Sequence, residues 1–216
     1  MAATGLQNGR RAYRLYGLGY SILIALANNV DNIGVRIAYS VRGVRLGIFK
    51  NLWISVITFL ISGAAALLGA ALGAAAGEFC HVLSMAVLVA IGTWFIVEPY
   101  RKPHRRRRES AHKSPVIEAL KDPENSDIDN SKSIDFKEAT LLGISLSINN
   151  IGGSMSAGMI GLGVLLIGVL SALVSFIALL LGNLLTSAFV RLKLGNKATV
   201  AAGVILILIG IRQVLP

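Results

Sequence analysis

Asn28, Asn29, Asp31 and Asn32 lie in the middle of an apolar, helix-length run over residues 19–39. Ser145, Ser147, Asn149 and Asn150 lie in another run that begins near residue 139. Polar groups are costly in hydrocarbon, and an ionised carboxylate most of all, so these side chains are expected to face a protein interior or a watery cavity. On a helix, Asn28, Asp31, Asn32 and Val35 follow the 0, 3, 4, 7 spacing of one stripe, with Gly34 beside it. Carboxylate, amide and hydroxyl oxygens suit a hard divalent cation, with water or backbone oxygens completing its shell. The candidate metal set is therefore Asp31, Asn32, Asn28, Asn149, Asn150 and Ser145, with Asp31 as its acidic member and Asn149 as a neutral dipole. The alternative is that these amides cement helices through interhelical hydrogen bonds, with Asp31 protonated or paired. Gly34 and Gly152 fit close helix packing better than ligation.

A second oxygen-rich tract runs from Asp127 to Glu138. Its side chains place oxygens at relative positions 1, 3, 5, 9 and 12, from Asp127, Asp129, Ser131, Asp135 and Glu138, and the Ser133 carbonyl stands at position 7. That order resembles an EF-hand calcium loop, apart from Lys132 at the position where a sharp turn normally takes glycine. One reading is a regulatory loop for Ca2+ or Mn2+. The other is an acidic linker in which Asp135 and Glu138 cap the helix that follows.

The elements that must position these residues follow from composition. The chain has 216 residues, 54% hydrophobic and only 15% charged, far short of the roughly one-quarter charged residues of soluble domains. An all-α polytopic membrane protein with six transmembrane helices is expected. The spans read as about 19–39, 48–73, 79–97, 139–160, 162–189 and 198–214. They divide the chain into an N-terminal basic tail (1–18), a first three-helix repeat (19–99), a linker (100–138) and a second three-helix repeat (139–216). The tail with its Arg10, Arg11 and Arg14 reads as the approach to a retained first span rather than as a cleaved signal.

Basic residues gather in alternate connections: Arg42, Arg45 and Lys50, then Arg101, Lys102 and Arg105 to Arg108, then Arg191, Lys193 and Lys197. Positive residues favour the cytoplasmic side, which puts the linker inside and both termini outside a plasma membrane, against the three arginines of the tail. The net charge of +10 is read as topology signal and contact with anionic lipid, not as nucleic-acid binding. Cys80 stands alone, which excludes an internal disulfide and leaves it as a packing residue. Glu78, His81 and Glu98 fall near the ends of the third span and read as interface groups. No phosphate loop and no nucleophile with a base at helical spacing is present, so neither ATP hydrolysis nor another enzymatic activity is expected, nor a tightly bound cofactor.

Asp31-Asn32-Ile33-Gly34 aligns with Asn149-Asn150-Ile151-Gly152 at an offset of 118 residues. With three spans per half, the matching helices would cross in opposite directions, the signature of an inverted repeat whose polar centres meet in a transport path. Asn28 through Gly34, the second centre Asn149 to Gly152 and the approach Asp127 to Glu138 together resemble the YtaF branch of the bacterial manganese efflux protein MntP family, over residues 19 to 214. The resemblance implies a six-span cation exporter with an acidic residue in the first helix of each half. Asp31 keeps that residue, whereas Asn149 replaces it in the second half. The function so implied is secondary export of a divalent cation, manganese first. The alternatives are a non-transporting, sporulation-associated membrane scaffold and an amino-acid exporter of related six-helix plan. Small-residue faces such as Gly69-Ala70-Ala71 would serve either a homodimer or internal packing.

Overall fold

In the computed structural model the chain is described at residues 17–77, 79–97, 100, 126–129, 131–192, 194–212 and 214, with only the backbone described over 183–192 and 194–199. Most of the N-terminal tail, the basic run Arg101 to Arg108, Glu78 and Glu98 lie outside these residues, as do the side chains of Arg191 and Lys197 and all of Lys193. Every described element is a helix: α1 (17–28), α2 (Val30–Arg42), α3 (Ile48–Ala76), α4 (Phe79–Val97), α5 (Phe136–Met159), α6 (Val164–Leu192) and α7 (Leu194–Arg212).

The first span is not one continuous helix. Asn29 interrupts it with φ −111° and ψ 12°, a bridge-region conformation between α1 and α2. Its backbone N–H bonds the Leu26 carbonyl in a tighter turn, and its side-chain Nδ2 reaches the Ala25 carbonyl at 2.8 Å in place of the helical N–H. An asparagine side chain competes with the backbone for the helix's own acceptors, which is why the break falls here.

The helices meet in reciprocal pairs. α3 lies along α5 and crosses α6, α2 lies on α6, α4 packs on α7, and smaller contacts join α4 to α5 and α2 to α7. Close approach rests on glycine. A Cβ on Gly69 would strike the Met155 carbonyl, one on Gly158 the Ala66 carbonyl, and Gly92 and Gly203 each stand where a Cβ would come 2.5 Å from the other's carbonyl oxygen. Gly34, expected to be a packing position, has open space around its missing Cβ, because that face of α2 meets no neighbour there. Gly152 does abut another helix, through the Ile91 side chain of α4.

Two apolar layers bracket the bundle. One joins Val35, Tyr39, Val44, Ile54, Ile134, Ala139, Leu142, Leu146 and Leu179. The other contains Ile24, Ala27, Ala66, Ala157 and Ile167, with Leu88 and Leu206. Between them every central helix turns polar: Asn28, Asn29 and Asn32 in α1–α2, Thr58 and Ser62 in α3, Ser147, Asn150 and Ser154 in α5, and Ser171 and Ser175 in α6, all buried. Leu60, Leu67, Leu68, Leu165 and Leu208 face outward, an inside-out arrangement suited to lipid and hostile to water.

The protein is thus an all-α membrane bundle. Among the described residues three helices are long and apolar enough to cross a bilayer, Ile48–Ala76, Phe79–Val97 and Val164–Gly182, of the six spans expected, and Val200–Arg212 is a shorter apolar helix. α1–α2 falls short because it is broken at Asn29, and α5 because its amides and serines belong to the buried polar layer.

Candidate functional site

The polar layer is a bonded network with unbonded oxygens at its edge. Asn32 spends both protons of Nδ2, one on Asn29 Oδ1 at 3.0 Å and one on Ser175 Oγ at 2.8 Å, so its own oxygen points away from both. Asn150 Nδ2 donates to the same Asn29 Oδ1 at 3.3 Å. Thr58 lies 3.5 Å from Ser175 Oγ and 3.2 Å from Ser147 Oγ, closing a chain of side chains across α2, α6, α3 and α5. Asn32 Oδ1, Asn150 Oδ1, both polar atoms of Asn28, and the hydroxyls of Ser62, Ser154 and Ser171 are buried without a hydrogen-bond partner. Buried polar groups are almost always paired, so a cluster of exceptions calls for an explanation.

Asp31 and Asn149, the aligned residues of the two polar centres, bond directly: Asn149 Nδ2 donates to Asp31 Oδ2, and Asp31 Oδ1 accepts from the Asn32 N–H at 3.0 Å. This pair sits at the rim of the layer, not in its centre, since Asp31 is half-buried and Asn149 exposed. With about 100° between successive helical residues, Asn32 and Asn150 turn inward while their predecessors turn toward the edge. Ser145 is buried one turn before Asn149. Arg36, one turn past Asn32, is buried and donates to the Val44 carbonyl at 3.3 Å.

The acidic tract forms a compact loop against the opposite end. Asp127, Asp129 and Glu138 bring carboxylate oxygens within 4.8 Å of one another, a set of hard donors able to coordinate a divalent cation. Lys132 takes φ 59°, the left-handed turn normally left to glycine, and its N–H bonds Asp127 Oδ2 at 3.2 Å. Ser131 Oγ donates to the Ser133 carbonyl at 3.0 Å and accepts from the Ser133 N–H at 3.3 Å, while the Ser131 N–H bonds Asp129 Oδ1 at 2.9 Å. Asp135 is the N-cap of α5 in a capping box: it accepts from the Glu138 N–H at 2.7 Å, and Glu138 Oε2 accepts from the Asp135 N–H at 2.9 Å. The Ser131 N–H and hydroxyl hold the exposed Asp129 carboxyl below its usual range. Ile134 plugs the loop into the apolar layer, and its neighbours pair with the α2–α3 connection: Arg45 N–H to the Lys132 carbonyl at 2.8 Å and Ile134 N–H to the Arg45 carbonyl at 3.0 Å.

The sequence reading chose Asn28, Asn32 and Asn150 but left Thr58, Ser62, Ser154, Ser171 and Ser175 out of the candidate set. Their signal was available as hydroxyls at helical spacing in otherwise apolar helices: Asn51, Ser55, Thr58 and Ser62 in α3, and Ser171 and Ser175 in α6. His81 is exposed, and Cys80 is buried as a packing residue.

A membrane-embedded helical bundle built around a buried polar layer is the architecture of a protein that handles a polar species within the bilayer. Comparison with known proteins narrows it. Residues 114–214 match the family described as "Putative manganese efflux pump". Over 206 residues the chain is 27% identical to the "Probable sporulation protein YtaF" of Bacillus subtilis (strain 168), covering 88% of this chain and 96% of that protein. The family match lies in the linker and the second half, whereas the similarity to the sporulation protein runs along most of the chain. No solved structure matches the chain.

Proposed function

We propose that the protein is a secondary transporter that exports a divalent cation, with manganese as cargo. The observation that carries this reading is the direct bond between Asp31 and Asn149, which joins the two aligned polar centres beside a layer of unpartnered amide oxygens. Asp31 supplies the electrostatic attraction, and Asn149 and Ser145 replace part of the water shell. Cation binding and protonation compete at Asp31, so an opposed proton gradient can drive the exchange.

The reading also takes residues 19–99 and 139–216 as two inverted three-helix units. The packing supports it: exchanging α1–α2 with α5, α3 with α6 and α4 with α7 turns the α3–α5 pair into α2–α6 and the α4–α5 pair into α2–α7, and leaves α3–α6 and α4–α7 as they are. So does helix direction, since α1–α2 and α6 run toward the layer that holds Ile134, whereas α3 and α5 run away from it. Alternate exposure of the centre would then be a rocking of one unit against the other. Arg42, Arg45 and Lys50 share the end that carries the acidic loop, which supports a cytoplasmic linker and outward termini in a plasma membrane. In this picture the Asp127, Asp129 and Glu138 loop senses cytoplasmic Ca2+ or Mn2+, and the basic linker meets anionic lipid. A homodimer remains compatible with the small-residue faces.

The test is manganese flux into proteoliposomes across imposed proton gradients, with Asp31→Asn beside the wild type. Movement lost in the variant is expected. Absence of divalent flux from folded wild-type protein sinks the reading and favours the membrane scaffold, for which the sporulation name of the relative is the specific pointer.

A further inference from the structure

The carboxylate and the unpartnered oxygens occupy different parts of the polar layer, and the difference divides the labour of transport. Asn28, Asn32, Asn150 and Ser154 are 0 to 1% exposed, and each has at least one polar atom without a partner. Asn29 Oδ1 gathers the amide nitrogens of Asn32 and Asn150, which turns both amide oxygens away from it. Asn28 lies alongside, its amide flat against Gly153: a Cβ there would come 2.8 Å from Asn28 Cγ, so only glycine leaves the amide its place. Gly153 and Ser154 follow Asn150 by three and four residues, on the same face of α5. Neither end of the Asn28 amide is engaged, so its oxygen is able to turn toward the others.

The charge environment decides what this cradle accepts. Asp31 and Glu138 are the carboxylates within the described helices. Asp31 is committed to Asn149 and the Asn32 N–H at the rim, and Glu138 lies about 18 Å away along α5. Arg36 places a positive charge one turn beyond Asn32. The cost of burying an ion rises with the square of its charge, so a divalent cation among neutral oxygens bears about four times the penalty of a monovalent one. The helix break adds a directional field. The carboxylate of Asp31 compensates the positive end of α2, while the C-terminal, negative end of α1 closes on Asn28.

We infer that Asn28, Asn32, Asn150 and Ser154 form a second cation site, distinct from the Asp31–Asn149 pair, that takes a dehydrated monovalent cation of sodium size. In the export reading, on which only its role and not its existence rests, this ion is a second coupling ion beside the proton exchanged at Asp31.

The experiment measures thermal unfolding of the purified full chain in detergent, free of divalent ions, while sodium chloride replaces choline chloride at constant ionic strength. Potassium and lithium serve as parallel arms. The expected result is a saturable rise in the unfolding temperature with sodium, larger than with potassium. Asn28→Ala and Gly153→Ala should each raise the half-saturating sodium concentration by about tenfold, the equivalent of one lost coordinating oxygen. Asp31→Asn should raise it less than either, since its charge acts on the site from the rim. Equal unfolding temperatures in sodium and choline overturn the proposal, as does a sodium effect that survives in both Asn28→Ala and Gly153→Ala or vanishes in Asp31→Asn. Sodium stabilisation without divalent flux in proteoliposomes upholds the site and removes the export reading. Divalent flux without sodium stabilisation does the reverse.

Discussion

Exchanging the two partners of the central pair is the sharpest perturbation the structure offers. In the wild type the Asp31 carboxylate accepts from Asn149 Nδ2 through one oxygen and from the Asn32 N–H through the other. In Asp31→Asn the exposed Asn149 amide turns its oxygen toward the new N–H, so both bonds keep a partner but lose the charge. Replacing a charged acceptor by a neutral one costs about 1 kcal/mol per bond, for a total of about 2 kcal/mol. The double variant Asp31→Asn with Asn149→Asp returns the charge to the pair: the new amide donates to the new carboxylate and still accepts from the Asn32 N–H. Its stability should lie within about 1 kcal/mol of wild type. For transport the contrast is larger. A unit charge about 4 Å from a divalent ion, at an effective dielectric constant of about 20, is worth about 8 kcal/mol before desolvation. A third of that surviving desolvation corresponds to about a hundredfold in affinity. Asp31→Asn should therefore cut manganese flux about a hundredfold, and the double variant should recover most of it. Flux in proteoliposomes, normalised to protein whose unfolding temperature has been checked, reads the outcome. A folded double variant no faster than Asp31→Asn would refute the claim that the two residues act as one interchangeable site.

Ile134→Ala should destabilise the protein by about 2 to 5 kcal/mol, the cost of emptying a fully buried aliphatic site, and should speed proteolytic cleavage within 126–135 in a limited-digestion series. Gly203→Ala should lower the unfolding temperature, because its Cβ meets the Gly92 carbonyl, whereas Gly34→Ala should leave it unchanged or raise it by the equivalent of up to about 1 kcal/mol, since its Cβ enters open space within a helix. Asp129 has its folded-state pKa depressed by Ser131, so its contribution to loop stability is complete above the unfolded carboxylate value and is lost as pH falls through the lower folded value. Ser131→Ala should move the Asp129 titration upward, as read by carboxyl carbon chemical shifts. An unchanged midpoint would mean that the Ser131 backbone N–H, and not its hydroxyl, holds the charge.

Helix class, the third span at 79–97, the capping of α5 by Asp135 and Glu138, and the meeting of Asp31 with Asn149 were all legible in the sequence. Each rests on a local rule or on a repeat, and such signals survive without knowledge of the neighbours. Apolar runs of helical length fold on themselves through their own backbone bonds, and a capping box is complete within four residues. The break at Asn29, the open face at Gly34 and the membership of the polar layer needed the tertiary structure. Whether an asparagine bonds its own helix or a facing one depends on what lies across from it. Ser175 is an ordinary helical serine until packing sets it 2.8 Å from Asn32. The same holds for charge. The sequence determined that one carboxylate stands among the two polar centres, and only the packing of α2 against α5 and α6 decided that it sits at the rim while neutral oxygens fill the interior. Helical periodicity gives each residue a direction about its own axis, but burial belongs to the surfaces that meet.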